Sequence, residues 1–280
     1  MPFKQWRTRE ACTAAASKPE PAHIEMMNDT LQLWCAYPDD LLTDQVARAC
    51  VSLLSEDERD RWQAFKFDRH RREYLATHAL ARTALSHCHP LAPEAWRFQL
   101  NNHGKPTTDP ECGLRFNLSN SLGLVVCLIA YGVEVGVDVE PYERAGEIVE
   151  LAPDVFSPQE LAQLETLRGM EKLNRALSLW TLKESYIKAR GMGLALPLDK
   201  FSFLFDSAER IRLDLDPCLE DLAERWQFCL IEHAGHRIAL MVEQATAPKL
   251  QIWETRPLLA PPNQLAAGAQ KWFPGSRAEA

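Results

Sequence analysis

Two segments of this chain hold residues whose types and spacing could do chemistry: Gly136-Val137-Asp138-Val139-Glu140 and Trp180-Thr181-Leu182-Lys183-Glu184-Ser185-Tyr186-Ile187-Lys188. In the first, valines at 133, 135, 137 and 139 alternate with Gly132, Glu134, Gly136, Asp138 and Glu140, the period-two pattern of a half-buried strand. Asp138 and Glu140 therefore point the same way, roughly 6.5–7 Å apart, and the small glycines beside them leave room for a hydrated cation or a charged ligand. In the second, Leu173, Leu177, Trp180, Glu184 and Ile187 follow three-four helical spacing, which sets Glu184 on an apolar stripe with Lys188 one turn further on. Taken singly, each segment also has an ordinary structural explanation, a solvated sheet face and a helical ion pair. Together they supply three inward-capable carboxylates and a lysine with no cysteine or histidine near them. Oxygen-only ligands suit Mg²⁺, which retains waters and is shared with substrate phosphates.

The elements that must position these residues are written twice. Ser55 with Glu58 and Ser157 with Glu160 are capping-box patterns 102 residues apart, each opening about thirty residues of helical character. A strand-like segment follows each, Trp96–Leu100 and Phe201–Phe205, at an offset of 105. Phe116-Asn117-Leu118 then matches Trp226-Gln227-Phe228 at 110, and Val125–Ala130 matches Arg237–Val242 at 112, the drift that small loop insertions produce. The expected fold is α+β, a pseudo-twofold duplication of two similar α/β halves, each a long helix on a mostly antiparallel sheet. The expected divisions are a disordered N-terminal extension over 1–26, a first half over 27–136, a second half over 137–253 and a loose tail over 254–280. Met26-Met27, just before the strand-like Leu31–Cys35, is an expected natural start.

The GVDVE strand followed by WTLKESYIKA resembles the signature of the 4'-phosphopantetheinyl transferases, specifically the larger two-unit, surfactin-synthetase-activator-like kind that modifies carrier domains of polyketide and nonribosomal peptide synthetases. Phe65-Lys66-Phe67-Asp68-Arg69, Gly104-Lys105-Pro106, Phe116-Asn117-Leu118-Ser119-Asn120, and Gly191-Met192-Gly193 leading into Leu196-Pro197-Leu198 match in the expected order, over about residues 30 to 245. The resemblance implies a Mg²⁺-dependent enzyme that moves the 4'-phosphopantetheine arm of coenzyme A to a serine hydroxyl of an apo acyl or peptidyl carrier protein, releasing adenosine 3',5'-bisphosphate. It places Asp138, Glu140 and Glu184 on Mg²⁺, with Glu184 also the base, directly or through a metal-bound water, and Lys188 stabilising charge on the pyrophosphate. Arg69 and Lys105 match positions that contact phosphate or nucleotide, with Arg61 a further candidate. Ser119 matches a nucleotide-contacting serine. Asn120 stands where many relatives have histidine; it can still donate a hydrogen bond but cannot be protonated. A cofactor cleft between the halves and a monomer are also implied. A Mg²⁺-dependent coenzyme A phosphohydrolase, or a non-catalytic coenzyme A-binding module, remains the alternative.

Composition sets the outer bounds. A chain of 280 residues, 46% hydrophobic and 25% charged, reads as an ordinary globular protein. Its longest apolar run, Leu124–Ala130, is too short to span a bilayer, and the eight cysteines contain no CxxC pair, so reduced thiols in the cytoplasm are expected. A net charge of −8 argues against nucleic-acid binding. Between 59 and 72, however, six basic residues face only Asp60 and Asp68, a segment suited to phosphates or to an acidic partner. No P-loop, GxGxxG, HExxH or GxSxG occurs, and His87-Cys88-His89, adjacent on a helix, point in different directions and make no ligand set.

Overall fold

The computed structural model describes residues 29–41, 44–109, 111–207, 210–258, 260–267 and 270–275. The expected extension over 1–26, and the start at Met26 or Met27, lie outside the described residues. In chain order, β1 (Thr30–Ala36) leads into α1 (Asp44–Ser52), α2 (Glu56–Ala64) and the long α3 (Asp68–Cys88). The short hairpin β2 (Arg97–Leu100) and β3 (Pro106–Asp109) precedes the hairpin β4 (Leu114–Ser121) and β5 (Leu124–Tyr131). The order then repeats as β6 (Val135–Pro141), α4 (Ala145–Val155), α5 (Pro158–Glu165), the long α6 (Gly169–Arg190), β7 (Phe201–Ser207), β8 (Arg210–Leu215), β9 (Trp226–His233) and β10 (His236–Glu243). The short strands β11 (Lys249–Glu254), β12 (Asn263–Leu265) and β13 (Phe273–Pro274) close the described chain.

The duplication appears in the registers. β5 pairs antiparallel with β1 and β4, as β10 does with β6 and β9. Both hairpins turn on two residues, Leu122-Gly123 between Ser121 and Leu124, and Ala234-Gly235 between His233 and His236. Gly123 and Gly235 have φ of 84° and 76°, the positive values such tight turns require. One offset, 112, therefore holds through both hairpins, so Phe116 matches Phe228 rather than Trp226. Each capping box also forms, and its glutamate does more than cap. Glu58 is buried and accepts from Arg82 of α3 (2.7 Å), while Glu160 is buried and accepts from Lys183 of α6 (2.8 Å). A short helix is thus tied to each long one by an ion pair that burial makes costly to break.

The resulting layers run helix, sheet, sheet, helix. The first sheet has the order β12-β11-β1-β5-β4 and the second β13-β9-β10-β6. Leu31, Leu33, Val126 and Leu128 pack against Val135, Val137, Val139 and Leu240 between the sheets, while α3 and α6 cover the outer faces. Both faces of β6 are therefore covered, which is why the alternating valines and acids are all buried rather than half solvated. β6 begins at Val135, two residues before the expected start of the second half. Described residues after Glu254 pair with both sheets: β12 pairs with β11, which itself runs parallel to β1, and β13 pairs with β9, where Phe273 stacks on Phe228 at 5.6 Å. Their apolar anchors are single residues spaced among prolines and glycines, too sparse to show a period.

Candidate active site

The two sheets meet along one seam, where β4 and β6 run side by side. Side chains of β4 replace the missing backbone ladder: Asn117 Oδ1 accepts from the Val137 amide (2.9 Å) and Ser119 Oγ from the Val139 amide (3.3 Å). Helix α6 lies against the same face of β6. Gly136 permits that approach, since a Cβ there would sit 2.0 Å from the Ser185 carbonyl oxygen. This corrects the sequence expectation for that glycine. It makes room for a helix, and the helix brings Glu184 and Lys188 to the strand's acids.

Asp138 is 4% exposed and Glu140 6%. Asp138 Oδ1 accepts from Lys188 Nζ (2.7 Å) and Ser119 Oγ (3.0 Å), and Lys188 also donates to Ser119 Oγ (2.8 Å). Asp138 Oδ2 is buried with no partner. Glu140 Oε1 accepts from Trp180 Nε1 (3.0 Å) and from Arg144 Nη1, while Ser121 Oγ donates to its Oε2 (3.3 Å). Burial and then the Asp138 charge raise the Glu140 pKa. Glu184 is pushed up to about 7 by burial, by the Asp138 charge and then by Glu140, against the pull of Lys188 and Arg144. Strand and helix acids thus share one electrostatic field.

Among the described residues no three His, Cys, Asp or Glu side chains are already grouped as a metal-binding set. The donors present nonetheless fit a hard divalent ion. Three carboxylates face two cations, Asp138 Oδ2 is buried with no hydrogen-bond partner, and the Glu184 pKa is raised by burial first and then by the Asp138 and Glu140 charges.

The structure separates the other expected residues. Ser119 joins the cluster. Asn120, next along β4, lies on the opposite, exposed face. Arg69 is exposed in the first turn of α3, stacked on the Phe67 ring at 5.7 Å, and Arg61 is half-buried on α2. Lys105 is tied into the protein itself. Its Nζ donates to Glu134 Oε2 (2.5 Å), Ala189 O (2.7 Å) and Val135 O (3.1 Å), so all three of its N–H groups tie the β2–β3 turn to β6 and the end of α6. Burial lowers its pKa. A cleft of about 490 Å³ lined by Leu41, Trp62, Arg71, Arg72 and Leu75 lies in the first half and shares no residue with the acids.

Sequence reasoning missed Arg144, Ser121 and Asn117 as members of this neighbourhood. Asn117, Ser119 and Ser121 alternate along β4, so a polar period-two face was legible there. Arg144 follows a strand-to-helix corner, where no spacing rule says what it faces.

Comparison with known proteins follows the same residues. A family model described as the 4'-phosphopantetheinyl transferase superfamily matches residues 134–241, which contain Asp138, Glu140, Glu184 and Lys188. The chain is 31% identical over 205 residues to the 4'-phosphopantetheinyl transferase HetI of Nostoc sp., spanning 71% of this chain and 84% of that protein. It is 29% identical over 194 residues to the 4'-phosphopantetheinyl transferase Sfp of Bacillus subtilis, spanning 67% of this chain and 84% of that protein. Among solved structures it is similar to a holo-acyl-carrier-protein synthase of Thermotoga maritima, with 25% identity and a TM-score of 0.34 over 41% of this chain and 64% of that one.

Proposed function

The chain belongs to the 4'-phosphopantetheinyl transferase superfamily, and from that membership we infer that it transfers the 4'-phosphopantetheine arm of coenzyme A to a serine hydroxyl of an apo carrier protein. The reaction balances simply. The serine oxygen forms a bond to the phosphorus that carries the pantetheine, the bond from that phosphorus to the bridging oxygen breaks, and adenosine 3',5'-bisphosphate leaves. The serine proton must go to a base.

The three acids and Lys188 each have a part in that scheme. Asp138, Glu140 and Glu184 would hold Mg²⁺. When bound, the ion supplies charge neutralisation at the diphosphate. Glu184 takes the serine proton, directly or through a water. As a metal ligand Glu184 would be in its carboxylate form, the form that can accept a proton. Lys188 stands on Asp138 and Ser119 and faces the negative charge that develops on the bridging oxygen. Arg61 and Arg69, on the first half, supply cations for the remaining phosphates, and Ser119 near the end of β4 contacts the nucleotide, which Asn120 would meet only from the opposite face of that strand. Lys105 would have to leave one of its three acceptors to join them.

The observation that carries this assignment is the meeting of Lys188 and Glu184 from α6 with Asp138 and Glu140 from β6, with Asp138 Oδ2 buried and left without a partner. No helix among the described residues is long and apolar enough to cross a membrane. A monomeric protein working in the cytoplasm completes the proposal. The test is intact-mass analysis of an apo carrier domain incubated with the protein, coenzyme A and Mg²⁺. The carrier should gain the mass of the arm, and chelation should stop the gain. Nucleotide released without any carrier would instead indicate a hydrolase, and binding without turnover a coenzyme A adaptor.

A further inference from the structure

Arg144 is a charged neighbour of these acids that the scheme above leaves without a part. It stands on the short turn Tyr142–Arg144 between β6 and α4. Its Nη1 donates to Glu140 Oε1, its guanidinium carbon lies 5.9 Å from the centre of the Trp180 ring, and its Nε is 3.6 Å from Glu147 Oε2. The two acids it touches differ sharply: the Glu140 side chain is 8% exposed and that of Glu147 72%.

Resting on the metal assignment above, we propose that Arg144 is a displaceable counter-cation, which neutralises Glu140 in the metal-free protein and moves over to Glu147 when the divalent ion enters. Three features of the geometry carry this. A carboxylate oxygen has two acceptor positions, and both on Glu140 Oε1 are filled, by Trp180 and by Arg144. Of those two donors the indole is neutral and fixed within α6, whereas the guanidinium is charged, 35% exposed and already near a second carboxylate. A guanidinium in contact with Glu140 also repels a dication at the same carboxylate, and in a part-buried setting that repulsion is not screened away. Lys188 differs from Arg144 here. It sits on Asp138 Oδ1 and leaves the buried Oδ2 without a partner, so Asp138 keeps an acceptor for a cation while Lys188 stays in place.

The experiment is isothermal titration calorimetry of Mg²⁺ into the full-length protein without coenzyme A, at fixed pH and ionic strength. Arg144→Ala should bind Mg²⁺ about tenfold more tightly than wild type, because the ion no longer displaces a bound cation. Arg144→Gln, which keeps a donor for Glu140 without the charge, should show the same gain and guards against an unfolded alanine variant. Glu147→Ala should weaken binding about twofold by removing the exposed acceptor. A wild type that binds with both Arg144 variants equal or weaker would overturn the displacement and leave the metal assignment standing. A wild type that binds no Mg²⁺ would overturn both.

Discussion

At the scale of single residues, the site turns on the proton of Glu184. Its folded pKa of about 7 lies above the ordinary 4.5, so between those values the folded protein binds the proton that the unfolded chain has released. Metal-free stability should therefore be fully supported by this group below about pH 4.5 and fall as pH rises towards about 7. A divalent cation needs the deprotonated carboxylate. Mg²⁺ affinity should accordingly rise by up to about tenfold per pH unit below about pH 7 and level off above it. Glu184→Gln should flatten that profile, and calorimetry at several pH values reads both; a flat wild-type profile would contradict the coupling. Lys188→Ala should cost about 10²–10³-fold in kcat, the usual effect of removing one preorganised charge from a reacting centre, and single-turnover rates measure it. The acids and Lys188 were legible because strand and helix periods put them on faces that could converge. The internal bonds of Lys105 were not legible in its Gly-Lys-Pro turn, because only tertiary structure shows Glu134 and two carbonyls taking all of its donors.

At the scale of elements, the site exists because α6 reaches β6 without an intervening side chain. Gly136→Ala should destabilise the protein by about 1–3 kcal/mol, since its new methyl meets backbone at Ser185 rather than a movable side-chain tip. Urea denaturation gives that number, and metal binding should weaken with it because the helix carrying Glu184 must shift outward. Lys183 faces away from the site into a buried pocket, donating to Glu160, Leu198 O and Phe201 O. Its replacement by alanine should cost about 3–5 kcal/mol, the range for stranding one member of a buried ion pair. The long helices, the capping boxes of the short helices before them and most strands were readable from period and cap chemistry. The β4–β6 seam was not, because it joins edge strands through side-chain amides and hydroxyls, and no local pattern encodes which edges meet.

At the scale of the whole molecule, the duplication raises the question of why only one half carries acids. The shared offset of 112 sets Trp34, which pairs with Cys127, where Asp138 pairs with Ala239. Trp34 is fully buried, stacked on Trp253 at 5.3 Å and met edge-on by His87 at 5.0 Å, in the last turn of α3 as Lys188 is in that of α6. An aromatic cluster thus fills the related position in the first half, and β11, which brings Trp253, closes it. Mg²⁺ should titrate at one ion per chain, and a stoichiometry of two would contradict that account. The halves were legible as a repeat; their unequal roles followed only from the registers. The most direct test of the central claim, that acids from β6 and α6 act as one site, is single-turnover intact-mass analysis of an apo carrier domain with Asp138→Asn and Glu184→Gln variants whose melting temperatures show them folded. Both should leave the carrier without its phosphopantetheine arm while wild type loads it, and loading by either variant at the wild-type rate would contradict the account.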